Sequence, residues 1–352
     1  MSKILIVYAS FGQGHKKAAQ ALTEHFDSSC CDLLDFSHPV LKKIYSLAYL
    51  VTTQYLPCLW NFAFFLTKIN FFSSLLNKRH KKIFASFFSF LRKEKPRIII
   101  ATHFFPPMLI ENIKSELNIK LISVITDLRV HPLWINRCVD YYLCALEETK
   151  NDLLKAGIRG EQIITGYVPL RKGFLAAFSR ENFSRRFYLG TKPSILFVSS
   201  SRGRFPFFKE VVKVLLEKFN IFVIYGRNRR LKLYLEGIDS PSLRYFPFYE
   251  EMWELISVSS VIIAKPGGLT VFEGIYKKRP FIFTHYIPGQ EKANMDLLIK
   301  YGVAKFARSK QELIEAIYHL ADKGKDFEEH YPLEVKDASF VLKSLIQKID
   351  NV

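Results

Sequence analysis

The sequence predicts an α/β protein built from two doubly wound domains that face each other across a cleft. The first observation is a repeated order of apolar segment, polar or glycine turn and helical segment, at the start of the chain and again from residue 193. The second is size, because 352 residues suit two domains of about 150 residues each. Hydrophobic residues make up 49% of the chain, which is enough to bury two cores.

Changes in composition along the chain predict four regions. Residues 1–170 form the first domain, which carries an insert rich in aromatic and basic residues at about 40–93. Residues 171–192 show little apolar periodicity and are predicted to link the domains. Residues 193–330 form the second domain, and residues 331–352 contain a C-terminal helix.

In the first half, short apolar segments are typical of buried strands, and they lie at residues 4–9, 97–101, 121–125, 141–145 and 163–165. A glycine-rich turn at 10–15 leads into a helix at 16–26, which gives a βα unit at the start of the chain. A second helix is predicted at 147–156, where Gly157 ends it.

The second half repeats the pattern. Strands are predicted at 194–198, 221–225, 243–246, 261–264 and 281–284. Helices are predicted at 207–219, 249–258, 269–278 and 339–349.

The most informative motif is the turn Pro266-Gly267-Gly268, which lies between a strand and a helix that begins at Leu269 and Thr270. The first N–H groups of a helix have no partner within it, so such a turn is an anion site. Glycine has no Cβ, so a phosphate can approach the backbone closely.

Acidic and amide side chains follow this turn in a fixed order. Glu273 lies inside the helix, where its carboxylate can accept hydrogen bonds from two sugar hydroxyls. Gln290, Glu291 and Asn294 come after the next strand. Together with the glycine turn, these residues predict a pocket for a nucleotide-sugar.

The corresponding turn earlier in the second half spans residues 199–204. The hydroxyl of Ser201 and the guanidinium groups of Arg202 and Arg204 can contact a diphosphate. The alternative is a solvated polar loop. Phe248 is predicted to flank a nucleotide base, or else to pack in the core.

In the first half, Gly12 and Gly14 lead into His15 at a helix N-terminus. The positive end of a helix disfavours the imidazolium ion, so we expect His15 to be neutral near pH 7 and able to take a proton from a hydroxyl. The alternative is a histidine that only closes a turn.

A second polar turn follows the strand at 121–125 and contains Asp127 and His131. Asp127 is predicted to orient His15 or to bind an acceptor hydroxyl, with helix capping as the alternative. His131, together with Gly12 and Gly14, is predicted to contribute to the loops that contact the acceptor or a phosphate. His103 follows another strand in the same way.

The charge pattern indicates that the protein binds a partner with an anionic surface. The net charge is +18, and the stretch between Asp35 and Glu94 has nine basic residues and no carboxylate. Basic and aromatic residues without acids are typical of a membrane-surface segment.

An ordinary amphipathic helix packed on the sheet is the alternative for 73–93. Residues 44–67 carry no charge, but polar groups in their middle disfavour a transmembrane helix.

Five cysteines without zinc-type spacing, and no visible secretory signal, indicate a cytoplasmic protein without a metal site. With the basic insert, this predicts a peripheral protein on the inner face of the cell membrane. We expect no nucleic-acid partner.

The chain resembles the diacylglycerol glycosyltransferases, which include the processive glucosyltransferases of bacteria and the monogalactosyldiacylglycerol synthases of plastids. These are relatives of the peptidoglycan N-acetylglucosaminyltransferase. The motifs that carry the resemblance are YASFGQGHKKAAQAL, VITDLRVHPLW, TGYVPL, KPGGLTVFEG and IPGQEKAN.

The resemblance implies a GT-B fold and an inverting transfer of a hexose from a UDP-sugar to diacylglycerol or a glycosyl-diacylglycerol, without a metal or other cofactor. By position, it makes His15 the catalytic histidine and Glu273 the ribose-binding glutamate. It assigns the diphosphate to Gly267 and Gly268, and the sugar hydroxyls to Gln290 and Glu291. The chain departs from the family in residues 199–204, where a glycine-rich turn is usual, and at Pro247.

Two alternatives stay open at this point. One is the transfer of N-acetylglucosamine to a polyprenyl-linked muramoyl peptide. The other is a relative that has lost catalysis and binds membranes or RNA, since lysine interacts similarly with the phosphodiesters of both.

Overall fold

A computed structural model describes residues 3–10, 13–40, 42–44, 82–111, 113–199 and 205–351. The chain divides into two units. Unit 1 comprises Met1–Lys172, Ile287–Ala293 and Val335–Val352, and unit 2 comprises Gly173–Tyr286 and Asn294–Glu334.

The strands of the described residues are mostly short and apolar. In chain order they are β1 Ile4–Tyr8, β2 Ser28–Asp32, β3 Ile98–Ala101, β4 Lys120–Val124, β5 Tyr141–Cys144, β6 Ile163–Thr165, β7 Tyr167–Val168, β8 Ser194–Val198, β9 Asn220–Ile224, β10 Leu243–Phe246, β11 Ser259–Ala264, β12 Phe281–Phe283, β13 Ala304–Phe306 and β14 Lys336–Asp337.

The helices alternate with these strands. They are α1 Gln13–Thr23, α2 Ala85–Glu94, α3 Phe105–Ile110, α4 Glu147–Lys155, α5 Lys172–Leu175, α6 Arg180–Phe187, α7 Phe208–Leu216, α8 Arg229–Glu236, α9 Met252–Val258, α10 Gly268–Tyr276, α11 Gln290–Lys300, α12 Lys310–Ala321, α13 Gly324–Glu329 and α14 Ala338–Asp350. Short 3₁₀ helices lie at Leu33–Phe36, Pro132–Trp134 and Gly160–Gln162.

Unit 1 contains a parallel six-stranded sheet in the order β2-β1-β3-β4-β5-β6. Strands β1, β3 and β4 are almost entirely buried, which is why they are rich in isoleucine, leucine and valine. One face packs on a cluster that includes Phe87, Trp134 and Tyr142. The other packs on a cluster that includes Leu342 of α14.

Unit 2 contains a second parallel six-stranded sheet in the order β10-β9-β8-β11-β12-β13. Helices α7 and α12 cover one of its faces through side chains such as Val212 and Ile317. In each unit the strand order reverses beside its first strand, as in doubly wound folds, where ligands bind beyond the carboxyl ends of the strands. The predicted fold class of two doubly wound α/β domains is confirmed.

The range 171–192, predicted as a linker, contains helices α5 and α6. The boundary between the units falls after Lys172. Ser179 caps α6 by accepting a hydrogen bond from the Asn182 N–H at 3.2 Å. Phe183 of α6 is buried, with its ring centroid 5.6 Å from that of Phe222 in β9. This range therefore contains two helices, and α6 packs on the sheet of unit 2 through Phe183.

Most of the predicted insert at about 40–93 lies outside the described residues, including 45–81. Its described end contributes α2, whose Phe87 and Leu91 are buried. Across the described part of the chain, no helix is both long and apolar enough to cross a bilayer.

Candidate active site

His15 lies in the first turn of α1, just beyond the carboxyl end of β1. Its Nδ1 atom is 2.8 Å from the Thr102 carbonyl oxygen and 3.0 Å from the Thr126 hydroxyl oxygen. The Thr102 hydroxyl in turn donates to the His15 carbonyl oxygen at 3.0 Å. Two threonines at the ends of neighbouring strands therefore hold both the ring and the backbone of this residue.

These contacts determine which ring nitrogen of His15 carries the proton. A carbonyl oxygen can only accept, so the nitrogen 2.8 Å from Thr102 must be the donor. In the neutral imidazole, Nε2 is then unprotonated and can accept a proton. This tautomer is the one that a general base requires.

Burial lowers the pKa of His15 to about 4, and the hydrogen bond to Thr102 opposes this shift. His15 is therefore neutral near pH 7. The sequence argument attributed the neutral form to the helix N-terminus, whereas the larger cause in the structure is loss of solvent.

Aromatic rings surround His15 within unit 1. The His103 ring centroid lies 4.4 Å from that of His15, edge to face, and the Trp134 centroid lies 6.4 Å from both. Phe104 completes the group, 6.1 Å from Trp134. We call His15, His103, Phe104 and Trp134 the ring cluster. Burial lowers the pKa of His103 well below its ordinary value, and the neighbouring His15 adds to this shift.

Asp127 and His131 follow β4, as predicted. Asp127 is buried, and its Oδ2 atom accepts a hydrogen bond from the Gln290 side-chain amide at 2.9 Å. His131 is also buried, and its Nδ1 atom accepts from the Leu133 N–H at 3.2 Å, which caps the 3₁₀ helix ending at Trp134. The Nδ1 side of His15 is held by Thr102 and Thr126, while Asp127 is bonded to Gln290.

The glycine turn of unit 2 begins α10. Gly267 is the N-cap residue, and its φ of −83° and ψ of 139° are accessible to any amino acid. What glycine offers here is therefore room beside the backbone, not an unusual conformation. Leu269 and Thr270 lie in the first turn, and Glu273 lies in the second, buried.

Asn294 of α11 supports this turn. Its side chain is fully buried, and its Nδ2 atom donates to the Pro266 carbonyl oxygen at 3.2 Å. This bond ties α11 to the residue that precedes Gly267. Asn294 thus acts on the turn itself, a role that the sequence alone did not show.

Gln290 and Glu291 begin α11, in the segment Ile287–Ala293 that clusters with unit 1. The Oε2 atom of Glu291 accepts from the Ile287 N–H at 2.8 Å, so one carboxylate oxygen holds the turn before the helix. The structure therefore groups Gln290 with Asp127, and Gly267 with Asn294.

The remaining predicted residues divide into two groups. Gly14 and Phe248 are exposed on the described surface. Gly12, Ser201, Arg202 and Arg204 lie outside the described residues. No group of three or more histidine, cysteine or acidic residues that could hold a metal ion is present among those that are described.

The sequence reasoning missed Thr102, Thr126 and Trp134. Thr102 and Thr126 each follow the last residue of a buried strand by one or two positions, which was the available signal. Nothing in the sequence pattern marks Trp134, because a large aromatic residue is usually part of the core.

Residues 15–169 match the family model of the monogalactosyldiacylglycerol (MGDG) synthases. Residues 206–345 match the model of the glycosyltransferase family 28 C-terminal domain. A processive diacylglycerol beta-glucosyltransferase from Bacillus cytotoxicus is 30% identical over 334 residues, which cover 89% of this chain and 84% of the relative. This chain belongs to the diacylglycerol glycosyltransferase family.

A second member of the family, from Staphylococcus epidermidis and with the same name, is 29% identical over 339 residues, covering 91% of this chain and 85% of the relative. Family membership makes this protein a glycosyltransferase, so the resemblance and the enzyme class predicted from the motifs are confirmed.

Solved structures show the same fold at low sequence identity. The calicheamicin glycosyltransferase CalG4 has a TM-score of 0.62 at 10% identity, over 94% of this chain and 92% of that protein. A UDP-GlcNAc 2-epimerase from Neisseria meningitidis, bound to UDP-GlcNAc, has a TM-score of 0.60 at 14% identity, over 98% and 100%. The predicted GT-B fold is confirmed.

Proposed function

We propose that this protein transfers a hexose from a UDP-sugar to the hydroxyl of diacylglycerol or a glycosyl-diacylglycerol, with inversion at the anomeric carbon. The observation that carries the proposal is His15, a neutral imidazole that donates from Nδ1 to Thr102 and leaves Nε2 to accept a proton. The names of the family relatives support the choice of diacylglycerol as acceptor.

In the proposed reaction, His15 Nε2 removes the proton from the acceptor hydroxyl. The hydroxyl oxygen forms a bond to the anomeric carbon as the bond from that carbon to the diphosphate breaks. UDP leaves with the electron pair of the broken bond. The proton ends on Nε2, so charge and atoms balance without a metal ion.

Unit 2 supplies the glycine turn and the glutamate that hold the diphosphate and the ribose of UDP. The first turn of α10 presents backbone N–H groups after Gly267, and these stabilise the negative charge that develops on the diphosphate. Glu273 accepts hydrogen bonds from two ribose hydroxyls, and Asn294 keeps the turn in place through Pro266. Gln290 and Glu291 contact the sugar hydroxyls. Arg202, Arg204 and Ser201 bind the diphosphate, and Phe248 flanks the base.

We also propose that the protein binds the inner face of the cell membrane as a peripheral protein. The support is chemical: the net charge is +18, and residues 36–93 contain basic and aromatic side chains without a carboxylate. A lipid acceptor lies in the membrane, so binding there brings enzyme and acceptor together.

The test is an assay with three labelled donors, UDP-glucose, UDP-galactose and UDP-N-acetylglucosamine, each with diacylglycerol in vesicles or with a polyprenyl-linked muramoyl peptide. We expect a labelled glycolipid from diacylglycerol and one of the two hexose donors. Transfer of N-acetylglucosamine to the muramoyl peptide, without glycolipid, would replace the proposal with the peptidoglycan activity. No transfer from any donor would leave a protein that binds without catalysis.

A further inference from the structure

The indole N–H of Trp134 is buried. Trp134 ends the 3₁₀ helix Pro132–Trp134, and its side chain is 1% exposed. Within the described part of the chain, its Nε1 atom meets no hydrogen-bond acceptor. A buried donor without a partner costs free energy, and protein interiors rarely retain one without a reason.

The backbone on either side of Trp134 is well anchored. Its carbonyl oxygen accepts a hydrogen bond from the Tyr142 hydroxyl at 3.1 Å, and its N–H donates to the His131 carbonyl at 2.9 Å. His131 also caps the 3₁₀ helix with its side chain. The indole is therefore held in place by its main chain, and its unpaired N–H does not result from a loose local structure.

The position of this indole connects it to the proposed base. Trp134 belongs to the ring cluster, with its centroid 6.4 Å from that of His15. His15 leaves Nε2 as a proton acceptor because Nδ1 donates to Thr102. The cluster thus contains a proton acceptor and an unpaired N–H donor on adjacent rings.

A hydroxyl group is the ligand that pairs with both. It donates its proton to one group and accepts a hydrogen bond at its oxygen from another. Two hydrogen bonds of about 2.9 Å that meet at one oxygen span up to about 5.8 Å between the nitrogens. The 6.4 Å between the ring centroids is compatible with such a bridge, since each nitrogen lies at the edge of its ring.

We propose that Trp134 binds the acceptor hydroxyl by donating its indole N–H to the hydroxyl oxygen, while His15 Nε2 takes the proton. This inference rests on the proposed function. A donor to that oxygen also stabilises the negative charge that grows on it as the proton leaves, so the bond contributes to turnover as well as to binding. The remaining lone pair of the oxygen attacks the anomeric carbon.

The first test uses Trp134→Phe, which retains an aromatic ring and removes the N–H. We expect kcat/KM for diacylglycerol to fall roughly tenfold, the effect of one hydrogen bond, while the Kd for UDP stays within twofold. The matched control is Trp253→Phe in unit 2, which loses an indole outside the ring cluster and should keep the acceptor kinetics. Unchanged acceptor kinetics in Trp134→Phe would overturn the inference and assign the N–H to an internal water.

The second test is a binding measurement on the wild-type protein, and a variant serves only to assign the signal. The chain has three tryptophans, so three indole ¹H–¹⁵N signals are expected in an NMR spectrum of the full protein. Trp134→Phe identifies its signal by absence. Addition of a short-chain diacylglycerol should move the Trp134 signal downfield and leave the Trp253 signal in place. A Trp134 signal that stays fixed while the wild type converts this lipid to glycolipid contradicts the inference.

The two proposals fail in different ways. If the wild type forms no glycolipid with any donor, the proposed function itself is wrong. If the wild type forms glycolipid and Trp134→Phe does so equally well, only the role of Trp134 is wrong.

Discussion

His15 shows how a folded chain orients a base through threonines, since Thr102 and Thr126 lie beside its Nδ1 atom. Thr102 selects the tautomer through its backbone carbonyl, and the Thr126 hydroxyl lies 3.0 Å from the same nitrogen. Neutral partners orient the ring but stabilise the imidazolium less than a carboxylate would. Burial lowers the pKa of His15, and the hydrogen bond to Thr102 offsets only part of that shift.

This pKa predicts how stability depends on pH. Above pH 6.5 His15 is neutral in both the folded and the unfolded chain, so it contributes nothing to the dependence. As the pH falls from about 6.5 to about 4, the unfolded chain binds a proton that the folded chain does not, so the free energy of unfolding decreases. The His15 contribution levels off below about 4.

The measurement is urea unfolding of wild type and His15→Gln between pH 7.5 and 4. His103 contributes in the same direction, so the difference between the two proteins isolates His15. We expect the wild type to lose up to ~1.4 kcal/mol per pH unit more than the variant over this window. Parallel curves for the two proteins would mean that His15 is not buried as a neutral ring.

At residue scale, the sequence predicts which charged residues and glycines belong to the candidate site better than it predicts the side chains that contact them. His15 and Glu273 stand in recognisable motifs, and the structure places both where strands end or helices begin. The unpaired N–H of Trp134 depends on what surrounds the indole in three dimensions. No linear pattern carries that information.

At the scale of elements, helix α10 joins the glycine turn to the core of unit 2. Gly274 lies on the buried side of α10, where an added Cβ would fall 2.2 Å from Cζ of Phe281 and 3.1 Å from Cδ1 of Ile262. Phe281 is fully buried in β12. The helix therefore rests directly on the sheet through a glycine.

Gly274→Ala should destabilise the protein by about 1–3 kcal/mol through overpacking, despite the better helix propensity of alanine. The displaced α10 should also raise the KM for the UDP-sugar. Urea unfolding and donor kinetics measure the two effects. The control is Gly190→Ala, because a Cβ there meets nothing within 4 Å, and its effect should stay within a few tenths of a kcal/mol. Equal stability of the two variants would contradict this account of the packing.

Elements rich in apolar and aromatic residues were predicted closely. The predicted strands 194–198 and 243–246 match β8 and β10, since both sequences consist largely of residues that pack in a sheet. Strand β2 was missed because its sequence SSCCD has no apolar run, and its edge position leaves Ser29 and Cys30 exposed. Helix α6 was missed because its composition is mostly charged and polar, with Phe183 as its one buried residue.

At the scale of the whole molecule, the net charge of +18 is the property that acts over distances longer than the individual contacts described above. The fold itself, with two parallel sheets, follows from the repeated strand–turn–helix order that the sequence shows. The fold does not reveal which anionic partner the basic residues bind, because a positive surface attracts any polyanion.

We predict that the protein binds vesicles containing phosphatidylglycerol and that binding weakens steeply as salt rises from 50 to 500 mM. Each basic residue at the surface should contribute about 1 kcal/mol to the binding free energy. Vesicles of phosphatidylcholine should bind much less. Co-sedimentation at matched salt measures this, with a single-stranded RNA of equal phosphate content as competitor. Full displacement from the vesicles by RNA would favour a nucleic-acid partner over the membrane.

The most direct test of the account is turnover by His15→Ala with saturating UDP-hexose and diacylglycerol, next to calorimetry of UDP binding to the same variant. We predict that kcat falls by roughly 10²–10⁴ while the Kd for UDP changes little, because the base is lost and the donor turn at Gly267 is untouched. A variant that forms glycolipid at the wild-type rate, or that loses UDP binding in step with turnover, contradicts the proposed chemistry.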